Sequence, residues 1–370
     1  MKSFDLGFLT IDSVTEGVGT SQVLTLLEEL SKLDMKISLT SFEKSTAPKF
    51  IQDRIQSAGI TWNPLPFGQN GNLPGAIRAL TLKKNLPNSK VFHGRSDIPS
   101  MVANNSNLAP VLWDVRSLWG AQRAVLNPTQ VSNTLKLGLE KIEGYNAHNS
   151  AAMTTLTRAI VPYLYSKHKR LPLIQDVVPT CVDLKRFALK SSVGKNLTVL
   201  LSGSFNSFYD IKRTNQIIEA LKARVNTKVI WARDSAGLGA SVRLNVDQIE
   251  TYIHSDMPKV IESSSFGLVI IKEDVGPSLM AAMPTKVAEF WATGRPVLLS
   301  GGIGDLDEMV EEYRSGFVIR TGENISDGIE QMLSIVLDPD TPERCRDLAE
   351  KYFDIQIAAK KYKRIYDMLS

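Results

Sequence analysis

The chain has 370 residues, 43% hydrophobic and 22% charged, with a net charge of +4; that sets a prior of roughly two to three domains with ordinary packed cores. These figures exclude disordered, collagen-like and coiled-coil classes, and no apolar run approaches the roughly 18 residues of a membrane span. The charge is unevenly shared: residues 1–185 hold 20 basic and 14 acidic side chains, a balance of +6, while the remainder holds 23 and 25, a balance of −2.

In chain order, Phe4–Leu9 is an apolar run that predicts a strand, and Asp5 and Asp12 cut it too short for a secretory signal. Gly17-Val18-Gly19 forms a loop leading into a helix whose face carries Val23, Leu24, Leu26, Leu27 and Leu30, up to Leu33. Residues 37–39 predict the next strand, giving strand, glycine turn, helix, strand: the opening of a parallel α/β sheet. Further strands are expected at residues 91–93, 111–113 and 153–156, with helices between them. The segment "DVVPTCVDLKRF", residues 176–187, is a proline-marked connection, after which the alternation restarts. Strands are expected at 197–201, 228–231, 246–252, 266–271 and 295–299, and helices at 214–223, 284–293 and from Asp305. Residues 341–369 are expected to be helical throughout.

The fold class that follows is α/β, with two Rossmann-like domains whose parallel sheets face each other across a cleft. Their expected extents are residues 1–185, completed by a returning helix at 352–370, and residues 190–351. Ligands of such sheets bind beyond the carboxyl ends of the strands. Cys181 and Cys345 are far apart and belong to no Cys/His cluster, so neither a disulfide framework nor a zinc site is suggested, and a reducing cytoplasm is the default. His148, His168 and His254 show no metal spacing. Nucleic acid is disfavoured as a partner, because no basic stripe with interleaved aromatics appears. The basic first half, with a local knot at Lys167, His168, Lys169 and Arg170, reads either as a solvated surface or as a contact with anionic lipid at the inner face of a membrane.

The stretch "SLMAAMPTKVAEFWATGRPVLLSGGIGDLDEMV", residues 278–310, carries the chemistry. A loop ends at Pro284-Thr285, where a helix opens; its free N–H groups form an anion site, and Lys286 adds a full charge. Glu289 follows four and three residues after Thr285 and Lys286, on the same face, where a carboxylate can accept two hydrogen bonds from a ribose diol. The plainer alternative is an exposed Lys286–Glu289 pair. Gly301-Gly302 reads first as a strand-to-helix turn.

Five collinear segments resemble the retaining GT-B glycosyltransferases of the large family 4 type, over essentially the whole chain. "PTKVAEFWATGRPV" is similar to that family's donor-site helix, and the resemblance implies that Glu289 binds the donor ribose. "VVPTCVDLKRF" matches the interdomain motif through Pro179, Val182, Asp183 and Phe187. "GVGTSQVLTLLEELSK" resembles the N-terminal glycine loop, so that Gly17 and Gly19 would let the donor or acceptor approach the backbone closely. "LLSGSFNSFYD" resembles the first strand and loop of the donor domain, and "YFDIQIAAKKYKRIYDML" the helix that crosses back to the first domain. Two departures stand out. Ala281 occupies the place of the first acid of the donor motif, the upstream acid being Glu273 instead. Ser204 replaces an arginine, and the position of a second phosphate-binding cation falls near Tyr209-Asp210; Lys286, Arg233 and Lys212 are then the candidates for neutralising a diphosphate.

In "VLWDVRSLWGAQRA", residues 111–124, the resemblance makes Asp114 and Arg116 the pair that contacts the transferred sugar; the alternative is that they order a loop around Trp113 and Trp119. His93-Gly94-Arg95 follows another strand end and could line the acceptor side. The implied activity is transfer of a sugar, with retention, from a nucleoside diphosphate sugar to a glycan or lipid-linked acceptor, without metal or other cofactor. A nucleotide-sugar epimerase and a non-catalytic GT-B partner subunit are the competing readings. Closure of the two domains over the donor, with the terminal helix as part of the hinge, is the expected motion.

Overall fold

The computed structural model describes residues 3–68, 72–126, 130–190, 196–234, 242–252 and 254–370. The chain divides into two compact units: residues 1–179 with 355–370, and residues 180–354. The divisions fall at Pro179 and Asp354, where the sequence pattern suggested 185 and 352.

The first unit is built on seven strands: β1 (Phe4–Leu9), β2 (Ile37–Glu43), β3 (Thr61–Pro66), β4 (Ser89–Arg95), β5 (Val111–Val115), β6 (Ala152–Thr155) and β7 (Ile174–Val177). They lie in the order β3-β2-β1-β4-β5-β6-β7, every pair parallel. Strands β2 and β5 are buried along their whole length, as strands covered on both faces are, and they carry the buried polar residues Ser38, Thr40, Ser41, Glu43 and Asp114 among their apolar ones. Leu9, Phe42, Phe92 and Val111 anchor one side of the core. Strand β3 was not expected: it lies at the sheet edge, mostly exposed, and its Pro64 and Pro66 are tolerated there because an edge strand leaves N–H groups unpaired. The helix after the glycine loop begins as a π-type turn, Gly19–Leu24, and continues as an α-helix over Thr25–Ser31.

The second unit has six strands: β8 (Leu197–Ser202), β9 (Thr227–Asp234), β10 (Gln248–Tyr252), β11 (Phe266–Val269), β12 (Val297–Ser300) and β13 (Gly316–Ile319). They are all parallel, in the order β10-β9-β8-β11-β12-β13. Its core joins Val199, Leu201, Ile217, Trp231, Phe266 and Leu298.

The terminal segment is two helices rather than one. Thr341–Tyr352 ends at Phe353, which is fully buried with φ −118° and ψ 2°. The Phe353 carbonyl accepts from the Val182 N–H at 2.8 Å instead of continuing a helix, and Asp354 bridges to Val182. The second helix, Ile355–Leu369, belongs to the first unit. Both chain crossings thus run side by side at Val182 and Asp354.

Candidate functional site

Strand order reverses once in each sheet, between β1 and β4 in the first unit and between β8 and β11 in the second. The connections that leave two such neighbours diverge, opening a crevice at their carboxyl ends. Several of the residues singled out by sequence fall at or beside these two places, with Asp114 and Arg116 at the end of the neighbouring β5 and Arg233 in the neighbouring β9.

In the second unit the chain leaves β8 through Gly203, whose φ of +82° favours glycine. The loop is laced to the segment after β11 by hydrogen bonds from Asp210 N to Ile270 O, 3.1 Å, and from Lys272 N to Phe208 O, 2.8 Å. Asp210 then caps the helix Ile211–Arg224 by accepting from Arg213 N at 2.9 Å. The helix Thr285–Ala292 starts nearby with Pro284 as its N-cap and no side-chain cap, so Thr285 is its first residue and not its cap. The Val287 N–H turns back to the Pro284 carbonyl at 3.0 Å, while those of Thr285 and Lys286 meet no acceptor among the described residues, which leaves them available to an anion.

Lys286 folds back over that start. Its ammonium donates to the Ser202 carbonyl and, at 3.1 Å, to the Tyr209 phenol, and lies 4.9 Å from the Tyr209 ring centre. A Cβ on Gly203 would stand 3.4 Å from Lys286 Nζ, so the glycine also makes room for the lysine. Glu289, one turn further, is 7% exposed. Burial pushes its carboxyl up to about 7, against the pull of Arg186 and Lys286, and among the described residues nothing hydrogen-bonds to it.

The other second-unit candidates differ in kind. Ser204 is half-buried on the rim of the Gly203 turn. Arg233 ends β9, its guanidinium 5.8 Å from the Trp231 ring centre, and its buried Nε meets no acceptor among the described residues. Lys212 is exposed in the first turn of its helix. Glu273 is spent on the protein itself: it accepts from Thr321 N at 2.9 Å and pairs with Arg213 at 3.1 Å. Burial alone would raise its carboxyl, but the Thr321 and Arg213 contacts outweigh it and hold the group below its ordinary range. The Gly301-Gly302 N–H groups are likewise occupied by Glu273 and Asp307, and φ is +78° at Gly302, as a strand-to-helix turn requires.

In the first unit Asp114 is the hub of a buried network and is 1% exposed. Thr154 Oγ1 donates to it at 3.0 Å, Tyr362 Oη at 3.4 Å, and His93 Nε2 lies 3.3 Å away. Arg116 and Arg95 approach it at 3.7 and 3.8 Å, and Arg95 also donates to Asp12 at 2.9 Å. Burial would raise the Asp114 carboxyl, but Arg116, His93 and Arg95 hold it far below the usual carboxylate range. His93 is pushed down by burial, more than Asp114 can restore, and is therefore the neutral imidazole, bonded through Nδ1 to Tyr366 Oη at 2.7 Å. Asp114 is therefore a buried anchor beside the arginines rather than an exposed acid. Ser96, directly after β4, holds φ at +73°, a backbone strain of the kind that clusters at working sites.

The glycine loop after β1 is fastened to Glu43, which accepts from Ser13 Oγ, Val14 N and Thr15 Oγ1. A Cβ on Gly19 would lie 1.9 Å from the Ser13 carbonyl oxygen, whereas one on Gly17 would meet nothing within 4 Å. Gly19 is thus required by the loop's own packing, and Gly17, at φ +28°, leaves open space. The basic knot is half neutralised, since Lys167 and His168 both pair with Glu143, at 2.8 and 2.7 Å. Lys169 and Arg170 stay exposed. The His254 side chain lies outside the described ones. Tyr362, Tyr366 and Glu43 were not singled out from sequence, and Tyr209 was named only as standing near the place of a phosphate-binding cation; the Tyr362–Tyr366 spacing of one helical turn was the one signal for the other tyrosines.

No protein-family model matches the sequence, and no curated protein matches it. Solved structures do match, along nearly the full length. Sucrose-phosphate synthase from Thermosynechococcus elongatus aligns with a TM-score of 0.68 at 14% identity, covering 98% of each chain. A glycosyltransferase from Rickettsia africae gives 0.67 at 14% identity over 100% of this chain and 99% of that one. HepE from Anabaena, solved in complex with UDP-glucose, gives 0.68 at 12% identity over 99% and 100%. The class these neighbours define is the GT-B fold, and two parallel-sheet α/β units, of seven and six strands, are its hallmark. The chain has that fold.

Proposed function

We propose that the protein is a glycosyltransferase moving a sugar from a nucleoside diphosphate sugar to a glycan or lipid-linked acceptor, with retention. The observation that carries this is Glu289: a buried carboxylate with no hydrogen bond from its own protein among the described residues, one turn inside an uncapped helix start that also bears Lys286. Burying a carboxylate is costly unless something hydrogen-bonds to it, and a ribose diol supplies two donors. The diphosphate would then lie at the helix start and Lys286, with Arg233 as the next cation and Ser204 and Thr285 offering hydroxyls. As the sugar leaves, charge grows on the diphosphate, and preorganised N–H groups and an ammonium stabilise it by a few kcal/mol each. In the first unit Arg116, oriented by Asp114, is the group assigned to the transferred sugar. Gly17 offers the open backbone of its loop. The known neighbours' fold and the UDP-glucose complex of HepE support the reading.

Contact of the first unit with an anionic lipid surface goes with a lipid-linked acceptor. It is supported by the +6 balance of residues 1–185 and by the exposed Lys169, Arg170 and Leu173. No helix among the described residues is long and apolar enough to cross a membrane.

A second reading, a non-catalytic partner subunit, is favoured by Ala281 and Ser204. An assay of donor hydrolysis and of transfer to oligosaccharide and lipid-linked acceptors separates the two: the enzyme releases nucleoside diphosphate, the partner subunit alone does neither. An epimerase would interconvert the sugar without any acceptor.

A further inference from the structure

We propose that Tyr209 is the positioning residue for Lys286, holding its ammonium ready for a diphosphate; this rests on the nucleotide-sugar reading of the second unit. Tyr209 is itself fixed on both sides. Its backbone N–H donates to Asn206 O at 3.1 Å, it bridges to Ile271, and its neighbours Phe208 and Asp210 bond across to Lys272 and Ile270. The phenol therefore stands at a set place over the reversal between β8 and β11. Its ring packs on Phe205, centres 4.6 Å apart, and Phe205 packs edge-on against the buried Trp231 at 5.4 Å. This aromatic floor continues into the core, so it cannot shift without cost.

The ammonium of Lys286 rests on that floor, 4.9 Å from the Tyr209 ring centre and 5.6 Å from that of Phe205. An ammonium has three hydrogens to donate. Two go to the Ser202 carbonyl and the Tyr209 oxygen, leaving one for an anion. The phenol accepts from Lys286, so its own O–H hydrogen is also left over, and among the described residues no acceptor takes it. The pair thus offers two donors at one point, one of them charged. A flexible lysine alone would lose rotamer freedom on meeting a phosphate, and the aromatic floor removes that loss beforehand.

The test is calorimetric titration of the full chain with UDP, GDP and ADP and with uridine, guanosine and adenosine. Tyr209→Phe keeps the ring and removes the hydroxyl; it should weaken the best-binding diphosphate by roughly tenfold to a hundredfold, the worth of a hydrogen bond to a charged group. Its nucleoside should bind as before. In a Lys286→Met background the same Tyr209→Phe change should cost clearly less, because only the phenol's own donor is then left to lose. An equal loss for nucleoside and diphosphate, an undiminished loss in the Lys286→Met background, or no loss at all would overturn the inference while leaving the nucleotide reading standing. Wild-type protein that binds none of the three diphosphates would take down that reading and this inference together.

Discussion

The His93 imidazole and the Tyr366 phenol share a buried 2.7 Å hydrogen bond between residues 273 positions apart. It ties the end of β4 to the last helix of the chain, which returns from the second unit to complete the first. Tyr362, one turn earlier, reaches Asp114 from the same helix face. Tyr366→Phe leaves a buried ring nitrogen without its partner, at a cost of roughly 1–3 kcal/mol. Urea unfolding read from the first unit should show that loss, and an unchanged midpoint would mean that the bond contributes nothing.

Glu289 links function to a stability cost. Burial raises its carboxyl from 4.5 to about 7, so the folded protein holds the proton more tightly than the unfolded chain does. Stability must then fall as pH rises from about 4.5 to 7, by roughly 3 kcal/mol in total from this group. Glu289→Gln removes the titration. Relative to wild type, the variant should gain stability at pH 8 and little or none at pH 4.5, as measured by denaturant unfolding at the two values. A pH-independent difference would show that the carboxyl is not perturbed.

Much of this was legible in the residues. Strand β1 has the bounds its apolar run suggested, and the spacing of Thr285, Lys286 and Glu289 put the three on one helix. The strands that escaped, β3, β7 and β13, are all sheet edges. β3 and β7 are half-exposed and polar, β3 carrying two prolines, and β13 is only four residues long behind a glycine. Tyr209 was placed near the missing phosphate-binding cation, but its contact with Lys286 escaped, because it arises from a loop laced to a segment some sixty residues on, which no local pattern encodes. The same holds for Glu273, an apparent free acid that Arg213, from the first turn of a helix, and Thr321, just after a strand, occupy from distant parts of the chain.

Gly19 and Gly17 make opposite predictions. Alanine at Gly19 would drive its Cβ into the Ser13 carbonyl, in a loop that Glu43 already pins, and should cost roughly 1–3 kcal/mol by overpacking. Alanine at Gly17 meets open space and pays only the conformational strain of its positive φ, about 1 kcal/mol. Thermal unfolding of the two variants should rank them in that order; the reverse ranking would contradict the loop geometry.

Binding to lipid should depend on the exposed half of the basic knot. Co-sedimentation with phosphatidylglycerol vesicles should exceed that with phosphatidylcholine and decline with salt. Lys169→Glu with Arg170→Glu should reduce it, while Lys167, already paired with Glu140 and Glu143, should matter less. Equal recovery on both vesicle types would remove the lipid contact from the account.

The central claim is that the second unit holds a nucleoside diphosphate with its ribose on Glu289. Calorimetric titration of wild type and Glu289→Ala with UDP, GDP and ADP tests it most directly. The account predicts that wild type binds at least one of the three and that the folded variant binds that nucleotide more weakly by roughly 1–3 kcal/mol, with a similar loss for the matching nucleoside. A folded Glu289→Ala protein with wild-type nucleotide affinity would contradict it.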